Sequence, residues 1–205
     1  MTDMMNGRGA LAEALFRIGS LRFGKFTLAS GRVSAYYLDL RVVPSDPQAY
    51  ELAITAYLAM AKEIGEQNFD VIAGVATAGI AISSPLAYLL KKPMVYVRSE
   101  RKGHGLGKLV EGAVTPGWRA LVVDDLITDG GSKVAAVENL RMTGCSVDDV
   151  VVLVDRLEGG KASLANAGVR LHSFTDIKDL VETLYAQKKV TKRDYESVLK
   201  QMGGR

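Results

Sequence analysis

Residues 120–133 read ALVVDDLITDGGSK. An apolar run rich in β-branched residues ends in two adjacent carboxylates, Asp124 and Asp125. A loop with Thr128, Asp129, Gly130, Gly131 and Ser132 then leads into a helical pattern from Lys133 to Met142. Such a run is the mark of a strand buried on both faces, and ligands of open α/β sheets bind beyond the carboxyl ends of their strands. The glycines let backbone N–H groups converge, the hydroxyls add donors, and the helix N-terminus adds partial positive charge. Together they suit a phosphate dianion. The two aspartates accept hydrogen bonds from hydroxyls, so a ligand with a phosphate at one end and a diol beside it, such as a ribose 5-phosphate, satisfies both halves. The bland alternative is an exposed strand end, but paired negative charges there cost stability unless something binds them. The loop lacks both the Gly-Lys-Ser/Thr ending of a P-loop and the spaced G-x-G-x-x-G of a dinucleotide site.

Outward from this stretch, short apolar runs alternate with helical patterns: VIAGVA from Val71, PMVYVR from Pro93, DVVVLVD from Asp149 and VRLHSF from Val169. The alternation predicts an α/β fold with a mostly parallel central sheet flanked by helices. Ahead of it, Gly9 to Ile18 reads as an amphipathic helix. RFGKFTLASG and RVSAYYLDLR read as two strands meeting at Ser30-Gly31, and Pro47 to Ile64 reads as a helix begun by Asp46-Pro47. Thr191 with Asp194 is a variant capping box for a last helix. The expected organisation is one domain over 1–205: a small N-terminal hood at 1–45, a core sheet at 66–175, and a basic C-terminal helix at 188–205. A long mobile loop at 99–115 carries glycines at 103, 105 and 107 and cations at Arg101, Lys102 and Lys108.

Composition narrows the function. With 205 residues, 48% hydrophobic and 24% charged, the chain has the make-up of a globular protein and excludes disorder, a collagen-like fibre and a coiled coil. The net charge of +3 arises at the C-terminus, where residues 188–205 hold six basic side chains against two acidic ones. The remainder is near neutral, so no nucleic-acid partner is expected. Cys145 is the single cysteine, there is no zinc-type Cys/His cluster, and no apolar run reaches the ~18 residues of a membrane span. A cytoplasmic protein is the expectation.

The segment VVDDLITDGGS resembles the phosphoribosyl pyrophosphate (PRPP) signature of the type I phosphoribosyltransferases. FTLASGRVSAYYLDLR, VRSERKGHG and LVDRLEGG are similar to the orotate phosphoribosyltransferases in particular. With VIAGVATAGI, the resemblance runs from Phe26 to Gly160. It implies the type I fold and a reaction joining orotate N1 to C1 of PRPP, giving orotidine 5'-monophosphate and pyrophosphate in pyrimidine (UMP) biosynthesis. Mg2+ would be held mainly by PRPP. It further implies a homodimer whose loop reaches the neighbouring subunit's site. A purine-base phosphoribosyltransferase shares the Asp-Asp loop, and a PRPP-sensing regulator without catalysis is a third reading. Arg156 argues against the purine enzyme, because a purine has no carboxylate to meet it.

The same resemblance assigns residues. Asp124 and Asp125 hold the ribose hydroxyls, and Thr128, Asp129, Gly130, Gly131 and Ser132 hold the 5-phosphate. Thr77 and Ala78, in a turn with a non-proline cis peptide at Ala76–Thr77, meet pyrophosphate together with Arg98, Lys102 and His104, and His104 is the candidate acid. Arg156 meets the orotate carboxylate; Tyr36, Tyr37 and Thr128 contact the base, although strand alternation places one of the two tyrosines in the core. An ion pair of Arg156 with Glu158 or Asp155 is the structural alternative. The chain departs from bacterial relatives at Ala29, Ala78 and Ser99, where they carry lysine. Mg2+ is therefore expected to carry more of the charge.

Overall fold

The computed structural model describes residues 2–27, 31–98 and 109–203, with side chains from residue 7 onward. These fall into two compact units, one formed by residues 54–174 and the other by residues 1–53 with 175–205.

The first unit is built on a six-stranded sheet. Its strands are β3 (Val71–Val75), β4 (Met94–Val97), β5 (Val110–Glu111), β6 (Arg119–Ile127), β7 (Ser146–Asp155) and β8 (Arg170–Asp176), in the order β5-β4-β3-β6-β7-β8. Neighbours β4, β3, β6 and β7 run parallel, and β5 is antiparallel to β4. All five residues of β3 are buried, as is most of β6 and β7. This two-sided burial follows from helices α3 (Ala78–Leu90), α4 (Gly131–Met142) and α5 (Gly160–Asn166), which follow β3, β6 and β7 in the chain. The interior is dominated by β-branched side chains, among them Val71, Val122, Val150 and Val152, with Leu140 and Leu164 from the helices. At the start of the sheet Asp70 takes a bidentate grip from the Arg119 guanidinium, at 2.8 and 3.0 Å, and accepts the Arg119 N–H as well. These bonds, chiefly those of the guanidinium, hold the Asp70 carboxyl down at about 2.

The other unit contains α1 (Thr2–Arg17), the hairpin β1 (Leu21–Thr27) and β2 (Val33–Leu38), α6 (Ile177–Ala186) and α7 (Lys192–Gly203). Helix α2 (Pro47–Ile64) begins in this unit and runs into the first. Its start is where Asp46-Pro47 placed it, with the Asp46 carboxylate accepting the Ala49 N–H at 2.8 Å. The Thr191–Asp194 cap of α7 forms as the sequence indicated, with the Asp194 N–H donating to Thr191 Oγ1 at 3.2 Å.

Two boundaries differ from the sequence reading. Helix α1 starts at Thr2 rather than Gly9. The segment expected to be a loop over 99–115 rejoins the sheet earlier, through β5 and an Arg98 N–H to Leu109 C=O bond of 2.8 Å.

Candidate active site

Parallel strands deliver their carboxyl ends to one edge, and that edge carries several of the predicted residues from separate stretches of chain. Arg98 follows β4, Ala76 and Thr77 follow β3, Asp124 to Ser132 lie at the end of β6 and beyond it, and Arg156 follows β7. Main-chain bonds tie the pieces together. The Ala76 N–H donates to Val97 C=O at 2.8 Å, Arg156 N–H to Ile127 C=O at 3.0 Å, and Gly160 N–H to Thr128 C=O at 2.9 Å. The Ala76–Thr77 peptide bond is cis.

Asp124 is buried and Asp125 half-buried. Asp124 Oδ1 accepts the Asp125 N–H at 2.9 Å, and its Oδ2 lies 2.5 Å from Lys133 Nζ. Asp125 Oδ1 accepts the Leu126 N–H at 2.7 Å. Burial raises the Asp124 carboxyl above its ordinary range, while the Lys133 ammonium pulls it back. Burial and the adjacent Asp124 charge push Asp125 up to about 6. The Tyr57 hydroxyl, reaching in from α2, donates to the Asp124 carbonyl at 2.6 Å and fixes the strand end from behind.

The loop after β6 has no side-chain N-cap: Gly130 occupies the cap position at φ +88, a conformation that favours glycine. A Cβ there would also come within 3.1 Å of the Gly160 carbonyl, so the two glycine turns pack directly on each other. Asp129, Gly131 and Ser132 are exposed, and the Gly131 N–H donates to the Asp129 carboxylate at 3.0 Å. The first turn of α4 thus offers backbone donors and a hydroxyl at a positive helix terminus, as an anion requires.

Arg98 and Arg156 each have an acidic neighbour. Arg98 Nη1 lies 3.5 Å from Glu111 on β5. Arg156 Nη2 lies 3.1 Å from Glu158 Oε1, with only 12% and 9% of the two side chains exposed. The local ion pair left open by the sequence therefore forms, with Glu158. Thr77 is exposed at the head of α3, and Ala78 is half-buried behind it.

The tyrosines require a correction. Strand alternation buries Ser34, Tyr36 and Leu38 together, and Tyr36 is only 1% exposed, so it is a packing residue rather than a base contact. Tyr37 points the other way within its unit, its ring 5.7 Å from Phe26 and 5.0 Å from the Arg22 guanidinium. Lys102 and His104 lie outside the described residues, as do Ala29 and Ser99. Lys133 and Tyr57 escaped the sequence reading. Only Lys133 left a signal, as a cation directly after the Gly-Gly-Ser turn.

The comparisons agree with this geometry. The phosphoribosyl transferase domain model matches residues 46–179. An orotate phosphoribosyltransferase of Pyrobaculum aerophilum is 42% identical over 190 residues, covering 92% of this chain and 96% of that protein. That of Cenarchaeum symbiosum is 41% identical over 169 residues, covering 82% and 84%. The crystal structure of orotate phosphoribosyltransferase from Aeropyrum pernix superposes with a TM-score of 0.79 at 40% identity, over 86% of this chain and 98% of that one. The chain belongs to the orotate phosphoribosyltransferase family. In this member of the family, no group of three or more His, Cys, Asp or Glu side chains among the described residues is placed to hold a metal ion. The Asp124–Asp125 pair fits a cation only when most of its ligands arrive with a substrate. No helix among the described residues is long and apolar enough to cross a membrane.

Proposed function

We infer that the chain transfers the 5-phosphoribosyl group of PRPP to N1 of orotate: the C1–N1 bond forms, the bond from C1 to the pyrophosphate oxygen breaks, the N1 proton is released to the departing pyrophosphate or to water, and orotidine 5'-monophosphate and pyrophosphate leave. The observation that carries the reading is the adjacent acids, Asp124 buried and Asp125 half-buried, running into the glycine-lined start of α4. A diol acceptor and a dianion seat stand side by side there.

The reaction asks for charge placement more than for proton transfer. As pyrophosphate departs, the ribose becomes cation-like, and two carboxylates at its hydroxyl face lower the cost of that charge. Residues 128–132 seat the 5-phosphate, which fixes C1 relative to the base. Thr77 and Arg98, brought together by the ends of β3 and β4, face the departing pyrophosphate. Arg156 offers a planar fork to the orotate carboxylate. Glu158 holds that fork in place beforehand. Mg2+, arriving with PRPP, would neutralise pyrophosphate charge. A cytoplasmic homodimer whose loop after Arg98 completes the neighbouring site belongs to the same proposal, with Lys102 and His104 as the loop's contributions.

The test is pyrophosphate release with PRPP, Mg2+ and each of orotate, adenine, hypoxanthine and uracil. Release with orotate alone is expected. Release with a purine would move the chain to the purine enzymes, and binding of PRPP with no release for any base would leave a sensor.

A further inference from the structure

Lys133 stands in a place that helix energetics does not favour. It is the third residue of α4, where the helix dipole opposes a cation, and only 8% of its side chain is exposed. Buried lysines are rare unless paired. Its ammonium reaches back nine residues to Asp124 Oδ2 at 2.5 Å and also donates to Ser132 Oγ at 3.3 Å. The two partners are the two halves of the donor site.

We propose that Lys133 is a positioning residue that sets the diol acceptor and the phosphate donor as one unit. With Asp124 Oδ2 on Lys133 and Oδ1 on the Asp125 N–H, the carboxylate cannot rotate, and each oxygen keeps lone-pair capacity for a ribose hydroxyl. The Ser132 hydroxyl, by accepting from the ammonium, leaves its own proton to be donated outward. Asp124 faces the ammonium of Lys133 and the carboxylate of Asp125, while the Tyr57 hydroxyl holds its main-chain carbonyl. Among the described residues, Lys133 is the cation that meets this group. Its charge opposes the burial that favours the neutral acid at Asp124. The inference rests on the PRPP reading of the site.

The experiment measures PRPP affinity by calorimetry with Mg2+, steady-state kinetics and the acidic limb of the pH profile in Lys133→Met, Lys133→Arg and Asp125→Asn. Loss of a charged hydrogen bond predicts PRPP affinity and KM about tenfold weaker in Lys133→Met, with kcat changed much less. The acidic limb should move upward in pH, because the ammonium that lowers the Asp124 carboxyl is gone, and Lys133→Arg should recover most of the affinity. Wild-type affinity with an unmoved limb in Lys133→Met overturns the proposal. So does a loss that Lys133→Arg does not recover and that leaves the limb in place, since that is a packing effect. Should Lys133→Met fail to give a cooperative melt, Lys133→Gln, uncharged but still a donor, takes its place with the same two outcomes. Asp125→Asn separates the readings: if it too binds PRPP normally, the site assignment has failed, whereas loss in Asp125→Asn alone fails only the role of Lys133.

Discussion

Gly79, in the first turn of α3, is pressed against the end of β6: a Cβ on it would stand 2.6 Å from the Val123 carbonyl oxygen and 3.1 Å from Asp124 Oδ1. The turn that follows β3 and the acid that ends β6 are therefore in direct contact, with no room for a methyl group. Gly79→Ala must push α3 away or turn the Asp124 carboxylate. Overpacking of this kind costs about 1–3 kcal/mol. A lowered melting temperature is expected, with a loss of PRPP affinity; an unchanged melt and affinity would show that the contact yields freely.

Asp125 gives a pH prediction of definite sign. Burial and Asp124 raise its carboxyl to about 6, above its unfolded value, so the folded state holds this proton more tightly than the unfolded chain does. The stabilisation is fully present below the unfolded value and is lost as pH rises through about 6. Asp125→Asn should therefore melt higher than the wild type at pH 8, with the gain shrinking towards pH 4. Activity runs the other way. If the ionised form accepts the diol, as proposed, kcat/KM of the wild type falls as pH drops through about 6. A melting difference that does not change with pH contradicts the first half of this prediction.

Asp129 places a carboxylate on the Gly131 N–H, at the spot where the 5-phosphate would seat. Asp129→Asn keeps the accepting oxygen and the turn but removes a negative charge from beside a dianion. PRPP should bind several-fold more tightly at low salt, with the difference fading as ionic strength rises. Calorimetry at two salt concentrations checks it, and weaker binding in the variant would mean that the charge holds the loop.

Arg156→Ala should raise the KM for orotate by tenfold or more, about the value of a charge-assisted bond, and leave PRPP affinity intact. Equal loss for both substrates would point to collapse of the Arg156–Glu158 corner instead. Turnover should also disappear in EDTA and return with Mg2+, because the described residues assemble no metal cage of their own and the pyrophosphate charge needs a counterion.

The chain announces its parallel strands plainly, since runs such as Val150 to Val154 have no other stable use than a doubly covered sheet. The glycine turn that opens α4 was equally open to reading, because glycines, hydroxyls and a helix start are adjacent in sequence. Strand β5 was not, for two residues carry no periodicity. Contacts made across the fold were also hidden. Tyr57 reads as one more apolar residue of α2 until the helix packs behind Asp124, and the reach of Lys133 to Asp124 depends on how the strand turns into the helix. The alternation of Tyr36 and Tyr37 said that one would be core, but only the packing of the hairpin showed which.

The hydrogen bond from the Arg98 N–H to the Leu109 carbonyl has a consequence for engineering. It continues the antiparallel pairing of Tyr96 with Glu111 and Val97 with Val110, so Arg98 and Leu109 are both held by the backbone of the sheet itself. Arg98 and Leu109 are therefore the natural splice points: exchanging residues 99–108 for those of a relative should leave both strand pairs in register, which amide exchange at Arg98 would report.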